Sequence, residues 1–354
     1  MFYFGLLKWA FSKFRQKFWL IPLAVLFWVI LERIESIAPI GTLGTDMFFF
    51  TSLPFLQIAL IAGFVGLQAA IIGLNASLAL LIQKRNFFTA GSTVFFVLLL
   101  AGIYLWGQGR LREKNETPKK EIKLALIQHN LPMDPKWRRR HSKEIKSQYE
   151  ALALQAAEKK PELIIFPLYT LQEDIYRSPE FFSELARQTK TYILAAAHVP
   201  KDPGSDTFGK NFTDTAILYS PEGSIAGEYR AVQRAPFRGK FEITEKEYKI
   251  LDTPFGKVGI LLCFEDTRPQ VAKRAVKAGA QFLVALSNPG FFSTTHVPYY
   301  HLVLDQLRAI ETNLWLARIV PNGYSAIVDS KGRIKQKSEL NQEGILYGTL
   351  TVSS

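Results

Sequence analysis

Hydrophobic positions follow two different rhythms along the 354-residue chain. Up to about residue 108 they form long, nearly unbroken runs. Beyond about residue 121 they come in short runs separated by polar turns. The first long run goes from Phe18 to Leu31 and stops at Glu32. A second, from Pro54 to Ile82, carries no charge, and a third goes from Phe88 to Trp106. A bilayer span needs roughly 20 apolar residues, which the second and third runs supply. The first has an uncharged core of 14 residues. It spans only if Phe11 and Phe14 extend it while the intervening Lys and Arg side chains reach back to the interface.

In the second half, Ile122 to Gln128 reads as a strand, and Ile145, Tyr149, Leu152 and Ala156 share one helical face. Leu163 to Phe166, ending at Pro167, has the continuous apolar character of a strand buried on both sides. Further strands are expected at Tyr192 to His198, Thr213 to Tyr219, Lys257 to Cys263, Phe282 to Ser287, Trp315 to Val320, Tyr324 to Asp329 and Gly344 to Val352. Helices are expected around Phe181 to Gln188, Pro269 to Ala278 and Tyr299 to Glu311. The alternation predicts one α/β domain over residues 121–354, large enough for its own core. In front of it come a membrane region of about three helices, residues 1–108, and a basic juxtamembrane linker, residues 109–120.

Composition narrows this picture. With 48% hydrophobic and 21% charged residues, the chain is neither disordered nor collagen-like. Its one cysteine, Cys263, excludes an intramolecular disulfide. The net charge of +12 is informative through its distribution. Lys8, Lys13, Arg15 and Lys17 cluster at the N-terminus, and Lys84-Arg85 marks a turn between two spans. The positive-inside rule puts both on the cytoplasmic side and everything after Gly107 outside. The alternative for the first run is a cleaved signal peptide ending near Ser36-Ile37-Ala38; the charges at Glu32, Arg33 and Glu35 argue against it. Lys136, Trp137, Arg138, Arg139 and Arg140 form a second basic cluster. A solvated face is the default reading, and beside a membrane anchor anionic head groups are a more economical partner than nucleic acid.

Within the second span, Ala62, Gly66 and Ala70 are four residues apart, a spacing that lets another helix approach closely. Gln57, Gln68 and Asn75 are polar at membrane depth, and Gln68 and Asn75, two turns apart, share a face. These positions are the expected contacts with lipid or with another membrane protein, and helix packing outweighs substrate contact.

Cys263 closes an apolar strand and precedes Phe264-Glu265-Asp266 and a helix. Backbone N–H groups and a helix dipole at such a junction favour a thiolate and an oxyanion. A lone cysteine after an apolar strand is, however, more often inert core. His129, His141, His198, His296 and His301 lack metal-ligand spacing apart from the His296–His301 pair, so no metal is expected. Phe291-Phe292 and Tyr299-Tyr300 flank a loop, as an aromatic rim or as core.

Cys263-Phe264-Glu265 resembles the nucleophile motif of the nitrilase, or carbon–nitrogen hydrolase, superfamily. Ile164-Ile165-Phe166-Pro167, Tyr229 to Phe237, Leu286-Ser287-Asn288, Arg308-Ala309-Ile310-Glu311 and Asn322 to Asp329 resemble its other segments, in order. With a membrane region in front, the whole resembles the apolipoprotein N-acyltransferases, with a shortened membrane part and without that family's closing membrane helix. The resemblance implies an α-β-β-α sandwich on the periplasmic side of a bacterial inner membrane, and no cofactor. It implies a phospholipid donor and a lipoprotein amine as acceptor. In that chemistry a glutamate deprotonates the thiol, the thiolate forms a thioester, and a lysine stabilises the oxyanion.

Carried over position by position, the resemblance places the nucleophile at Cys263 and the following acid at Glu265. The base position holds Leu168, the lysine position Ala231 and a second glutamate position Gly239. A general base and an oxyanion donor are each worth about 10²–10⁴ in rate. The expectation is therefore a degenerate acyltransferase-like protein that binds acyl lipid or lipoprotein, or scaffolds a membrane partner. The alternative is an active enzyme that recruits Glu173, Asp174, Arg230, Arg234, Lys240 or Glu242 to serve Cys263.

Overall fold

The computed structural model describes residues 19–35, 52–113, 119–132, 134–168, 170, 179–200, 212–233, 247–288 and 297–353. Contacts divide the chain into two units, Met1–Asn115 and Glu116–Ser354.

The first unit is helical: α1 (Leu20–Glu35), α2 (Leu53–Leu56), α3 (Ala59–Gln83) and α4 (Phe87–Arg112). Among the described residues, α3 and α4 are long and apolar enough to cross a membrane; the apolar part of α1 covers only Leu20–Ile30. The expected second span is interrupted twice. The chain turns at Gln57-Ile58 between α2 and α3, and Gly63 adopts φ 63°, ψ 177° inside α3. That conformation is open to glycine at little cost. The third span runs on as helix past the expected boundary, through Arg110 and Arg112. The turn joining α3 and α4 is fixed by Asn86, whose side chain accepts from Thr89 N at 2.9 Å and caps α4. α1 packs on α3 through Leu20, Ile21, Ala24, Trp28, Ile72 and Leu80. Close approach of α3 and α4 depends on Gly73, where a Cβ would lie 2.2 Å from the Phe96 ring. At Gly107 a Cβ would meet the Pro54 carbonyl at 1.9 Å.

The second unit holds two six-stranded sheets. Its strands are β1 (Lys119–Gln128), β2 (Leu163–Leu168), β3 (Tyr192–Pro200), β4 (Phe212–Tyr219), β5 (Ile225–Arg230), β6 (Leu251–Thr253), β7 (Gly256–Leu262), β8 (Phe282–Leu286), β9 (Leu316–Ile319), β10 (Ala326–Val328), β11 (Ile334–Lys337) and β12 (Gly344–Ser353). One sheet has the order β12-β1-β2-β3-β4-β5, the other β11-β10-β9-β8-β7-β6. The centre of each is parallel: β1, β2 and β3 in one, β7, β8 and β9 in the other. Side-chain alternation then sets the layers. Ile122, Leu124 and Leu126 of β1 and Val258, Ile260 and Leu262 of β7 belong to one apolar cluster between the sheets. After the short α5 (Pro135–Arg140), α6 (Ser142–Ala157) and α7 (Pro179–Thr189) cover one outer face, toward which Ala125 and Ile127 point. Leu261, Leu283 and Ala285 face α8 (Pro269–Lys277) and α9 (Val297–Thr312) on the other. The result is the expected α-β-β-α sandwich. Gly259 shows how close its layers come, since a Cβ there would lie 2.8–2.9 Å from Leu283, Ala275 and Ala280.

Candidate active site

Three strand ends of the second unit converge on one apolar cluster between the sheets, and two of them break the alternation to do so. In β2, Leu163 and Ile165 face the other sheet while Ile164 and Phe166 face the helices. Strict alternation would send residue 168 to the helix side. The pairing of β2 with β3 instead shifts register between Ile165 and Leu168, across Pro167, and Leu168 turns into the inter-sheet cluster, fully buried. An irregularity of this kind re-aims a side chain at a strand end. In β7 the even positions face inward, so Cys263 would face the helices if the strand continued. It begins a 3-10 turn (Cys263–Thr267) at φ 54°, left-handed, and packs half-buried against the inter-sheet cluster. A non-glycine residue in this region costs about 1–2 kcal/mol, so its surroundings must hold it there. Ala231 follows β5 and joins the same cluster, its N–H donating to the Asp214 carbonyl at 2.9 Å. Arg230 points the other way and pairs with Glu228 at the surface.

Glu265 ties two of these ends together. Its Oε1 accepts from Val232 N (2.7 Å) and Gln233 N (3.0 Å). Its Oε2 accepts from Leu262 N (2.9 Å) and the Tyr229 hydroxyl (2.8 Å). Four donors occupy both oxygens, so this carboxylate clamps the segment after Ala231 to the start of the Cys263 turn. Burial pushes its pKa up to about 8, against the pull of those donors. Burial and the Glu265 charge hold the Tyr229 hydroxyl well above its ordinary pKa, so it remains a donor. Tyr248, its ring tilted 52° to that of Tyr229 with centroids 5.1 Å apart, donates to the Ile260 carbonyl at 2.6 Å.

The next residue, Asp266, enters a different environment. Its Oδ2 accepts from Ser287 Oγ and faces His301 Nδ1 at 3.3 Å and Arg318 Nη1 at 3.4 Å. Arg318 also pairs with Asp305, and all three of these charged side chains are fully buried. Sequence reasoning missed this cluster. Its signal was Arg318 itself, a charge inside the otherwise apolar run Leu316 to Val320.

Other expectations fall out unevenly. Gly239, Arg234, Lys240, Glu242, Glu173, Asp174, Phe291, Phe292, His296 and the Ser36-Ile37-Ala38 segment lie outside the described residues. Arg138 does not belong to an exposed basic face. It is buried and donates to the Thr170 carbonyl (2.6 Å) and the Tyr149 hydroxyl (3.3 Å), so it anchors the chain just beyond Leu168. In α3, Gln68 and Ala70 are buried, Gly66 is half-buried, and Ala62 and Asn75 are exposed. Gln68 and Asn75 thus do not share an environment. Gln57 is buried and accepts from Arg110 Nη1 at 2.8 Å.

Known proteins resemble this arrangement. The family profile for carbon-nitrogen hydrolases matches residues 123–354. The apolipoprotein N-acyltransferase of Geobacter metallireducens is 29% identical, over 91% of this chain and 67% of its own length. That of Synechocystis sp. is 26% identical, over 82% of this chain and 60% of its own length. The chain therefore spans about two thirds or less of these relatives. The crystal structure of a carbon-nitrogen hydrolase from Helicobacter pylori G27 superposes with a TM-score of 0.53 at 21% identity, covering 65% of this chain and 88% of that one.

Proposed function

The chain belongs to the carbon–nitrogen hydrolase family, and we propose that it is a lipoprotein N-acyltransferase-like membrane protein that has lost its catalytic set and acts by binding. The observation that carries this reading is the company Cys263 keeps. The base position, Leu168, and the lysine position, Ala231, lie with it in one apolar cluster. The nearest acid in sequence, Glu265, has both oxygens committed to four donors. A thiol attack on an ester needs a proton acceptor and a group that stabilises the oxyanion, each worth about 10²–10⁴ in rate. Hydrocarbon side chains supply neither. They suit an acyl chain, so the ligand class is phospholipid or the acylated end of a lipoprotein.

In this reading α1, α3 and α4 anchor the protein in a bacterial inner membrane as a multi-pass region. The N-terminus is cytoplasmic and the sandwich periplasmic, as the positive-inside rule places them. A second membrane protein is a further partner class, reached through the small residues of α3, of which Ala62 is exposed.

The test is intact-mass analysis of the full chain after incubation with phospholipid in mild detergent. No acyl adduct is expected on Cys263, while a fluorescent diacylated peptide binds. An adduct that passes to the peptide amine, and disappears in Cys263→Ser, overturns the proposal in favour of an active acyltransferase with relocated partners.

A further inference from the structure

The left-handed turn at Cys263 has a support that the functional reading does not use. Ser287 Oγ lies 3.0 Å from the Cys263 carbonyl and is also bonded to Asp266 Oδ2. A serine hydroxyl has one proton to donate, so carbonyl and carboxylate compete for it. The strength of that competition depends on the charge around Asp266.

The charged and titratable groups that face Asp266 among the described residues come from two elements. α9 contributes His301 and Asp305, together with Arg308, which pairs with Glu311 at 3.0 Å and reaches the Asp266 backbone carbonyl at 3.4 Å. β9 contributes Arg318, which is shared between Asp266 and Asp305 and also donates through Nε to the Tyr324 carbonyl. Glu265, on the 3-10 turn itself, is committed to its own four donors. Asp266, Asp305 and Arg318 are sealed from solvent, and His301 is 21% exposed. While both carboxyls are ionised, two carboxylates against one guanidinium leave one unit of negative charge, which a protonated His301 balances. Burial pushes the Asp305 carboxyl up to about 6, with Asp266 adding to the rise and Arg318 opposing it. Against burial, His301, Arg318 and Ser287 hold Asp266 below the ordinary carboxylate range. Asp266 is therefore an acceptor, and the Nδ1 of a neutral His301 carries the proton that faces it.

We propose that the Asp266–Arg318–Asp305 cluster and His301 form a proton-linked brace for the Cys263 turn, transmitted through the hydroxyl of Ser287. When a proton adds to His301 Nε2, the imidazolium pairs with Asp266 and weakens its hold on the Ser287 proton, which is then donated to the Cys263 carbonyl. When His301 is neutral, the carboxylate draws that proton and the carbonyl loses its donor. The inference takes the Cys263 turn to be the working site, as proposed above, and assigns its regulation.

Hydrogen exchange of the full chain in detergent tests it, read on peptides covering residues 263–268 and corrected for intrinsic rates. Protection is expected to be higher at about pH 5.5 than at about pH 7.5. His301→Gln is expected to abolish the difference, and Ser287→Ala to leave the segment fast at both pH values. Equal protection at both pH values in the unmodified protein overturns the brace. So does a pH dependence that survives in His301→Gln. Acylation of Cys263 bears on the functional reading alone, and the exchange profile on the brace alone.

Discussion

Two sides of the Cys263 turn have opposite chemistry. On the inter-sheet side Cys263 packs against the apolar cluster that includes Leu168 and Ala231, with no more than hydrocarbon at either position. On the other side, three residues further along, Asp266 meets Ser287, His301 and Arg318. Between them Glu265 keeps a fully bonded carboxylate. The difference separates two kinds of polar residue. The two positions that the family resemblance assigns to proton transfer and charge stabilisation hold Leu168 and Ala231, while the groups that hold backbone in place are polar. A buried charge with a structural duty is costly to remove alone, because its partners are left unpaired.

The strongest way to break this comparison is to attack the structural side. Arg318→Met leaves Asp266 and Asp305 buried without their shared cation. It is expected to destabilise the protein by about 3–5 kcal/mol, read as a lowered thermal or denaturant midpoint. If its stability is unchanged, the cluster has no structural duty.

The apolar side is sharpened by a double-mutant cycle. Leu168→Glu alone buries an unpaired carboxyl and is expected to cost about 3 kcal/mol. Adding Ala231→Lys is expected to return about 1–3 kcal/mol through coupling. Additive effects in urea unfolding would mean that the two side chains do not face one another. If the double variant gains an acyl adduct on Cys263, the pocket survives and only its chemistry was lost.

The clamp between the two sides predicts a pH dependence. The folded pKa of Glu265 is about 8 against an ordinary 4.5. Between these values the folded state keeps a proton that the unfolded chain has lost, and the Tyr229 hydroxyl, which can accept as well as donate, is the partner able to take it. Its contribution to stability is complete below about pH 4.5 and falls as pH rises toward 8, by up to about 1.4 kcal/mol per pH unit. Glu265→Gln is expected to flatten that slope while lowering stability throughout, because two acceptor sites are lost. A slope unchanged in this variant assigns the dependence to other groups.

The smallest effect concerns the turn itself. Cys263→Gly is expected to be about 1 kcal/mol more stable than Cys263→Ala, since only glycine takes φ 54° freely. Equal stability would mean that the turn relaxes.

Much of this was legible in the sequence. The apolar runs at Leu163–Phe166, Lys257–Cys263 and Phe282–Ser287 identified strands, their alternation with helices identified an α/β domain, and the family resemblance implied the sandwich; the parallel pairing came from the structure. The family motifs pointed to positions 168, 231 and 263, and the structure brings all three to the inter-sheet cluster. The reversal of side at Leu168 was not legible, because a bulge is set by pairing with a neighbouring strand and leaves no mark in local periodicity beyond Pro167. The break at Gly63 was hidden for a similar reason: a glycine inside an apolar run reads equally well as close helix packing. Gly73 and Gly107 are two positions where the absence of a side chain lets a neighbouring segment come close. Arg138 was misjudged because its neighbours in sequence are basic, while its partners Tyr149 and Thr170 lie 11 and 32 residues away.

The Glu265 clamp has an evolutionary corollary. It grips main-chain N–H groups of Val232 and Gln233, which exist whatever side chain occupies position 231. The segment therefore behaves as a socket whose geometry is inherited independently of the plug. A lineage can drop the ammonium there, drift for many generations as a binder, and later accept it back by point substitution without rebuilding the loop. Loss of activity in such a scaffold is a reversible step rather than a dead end.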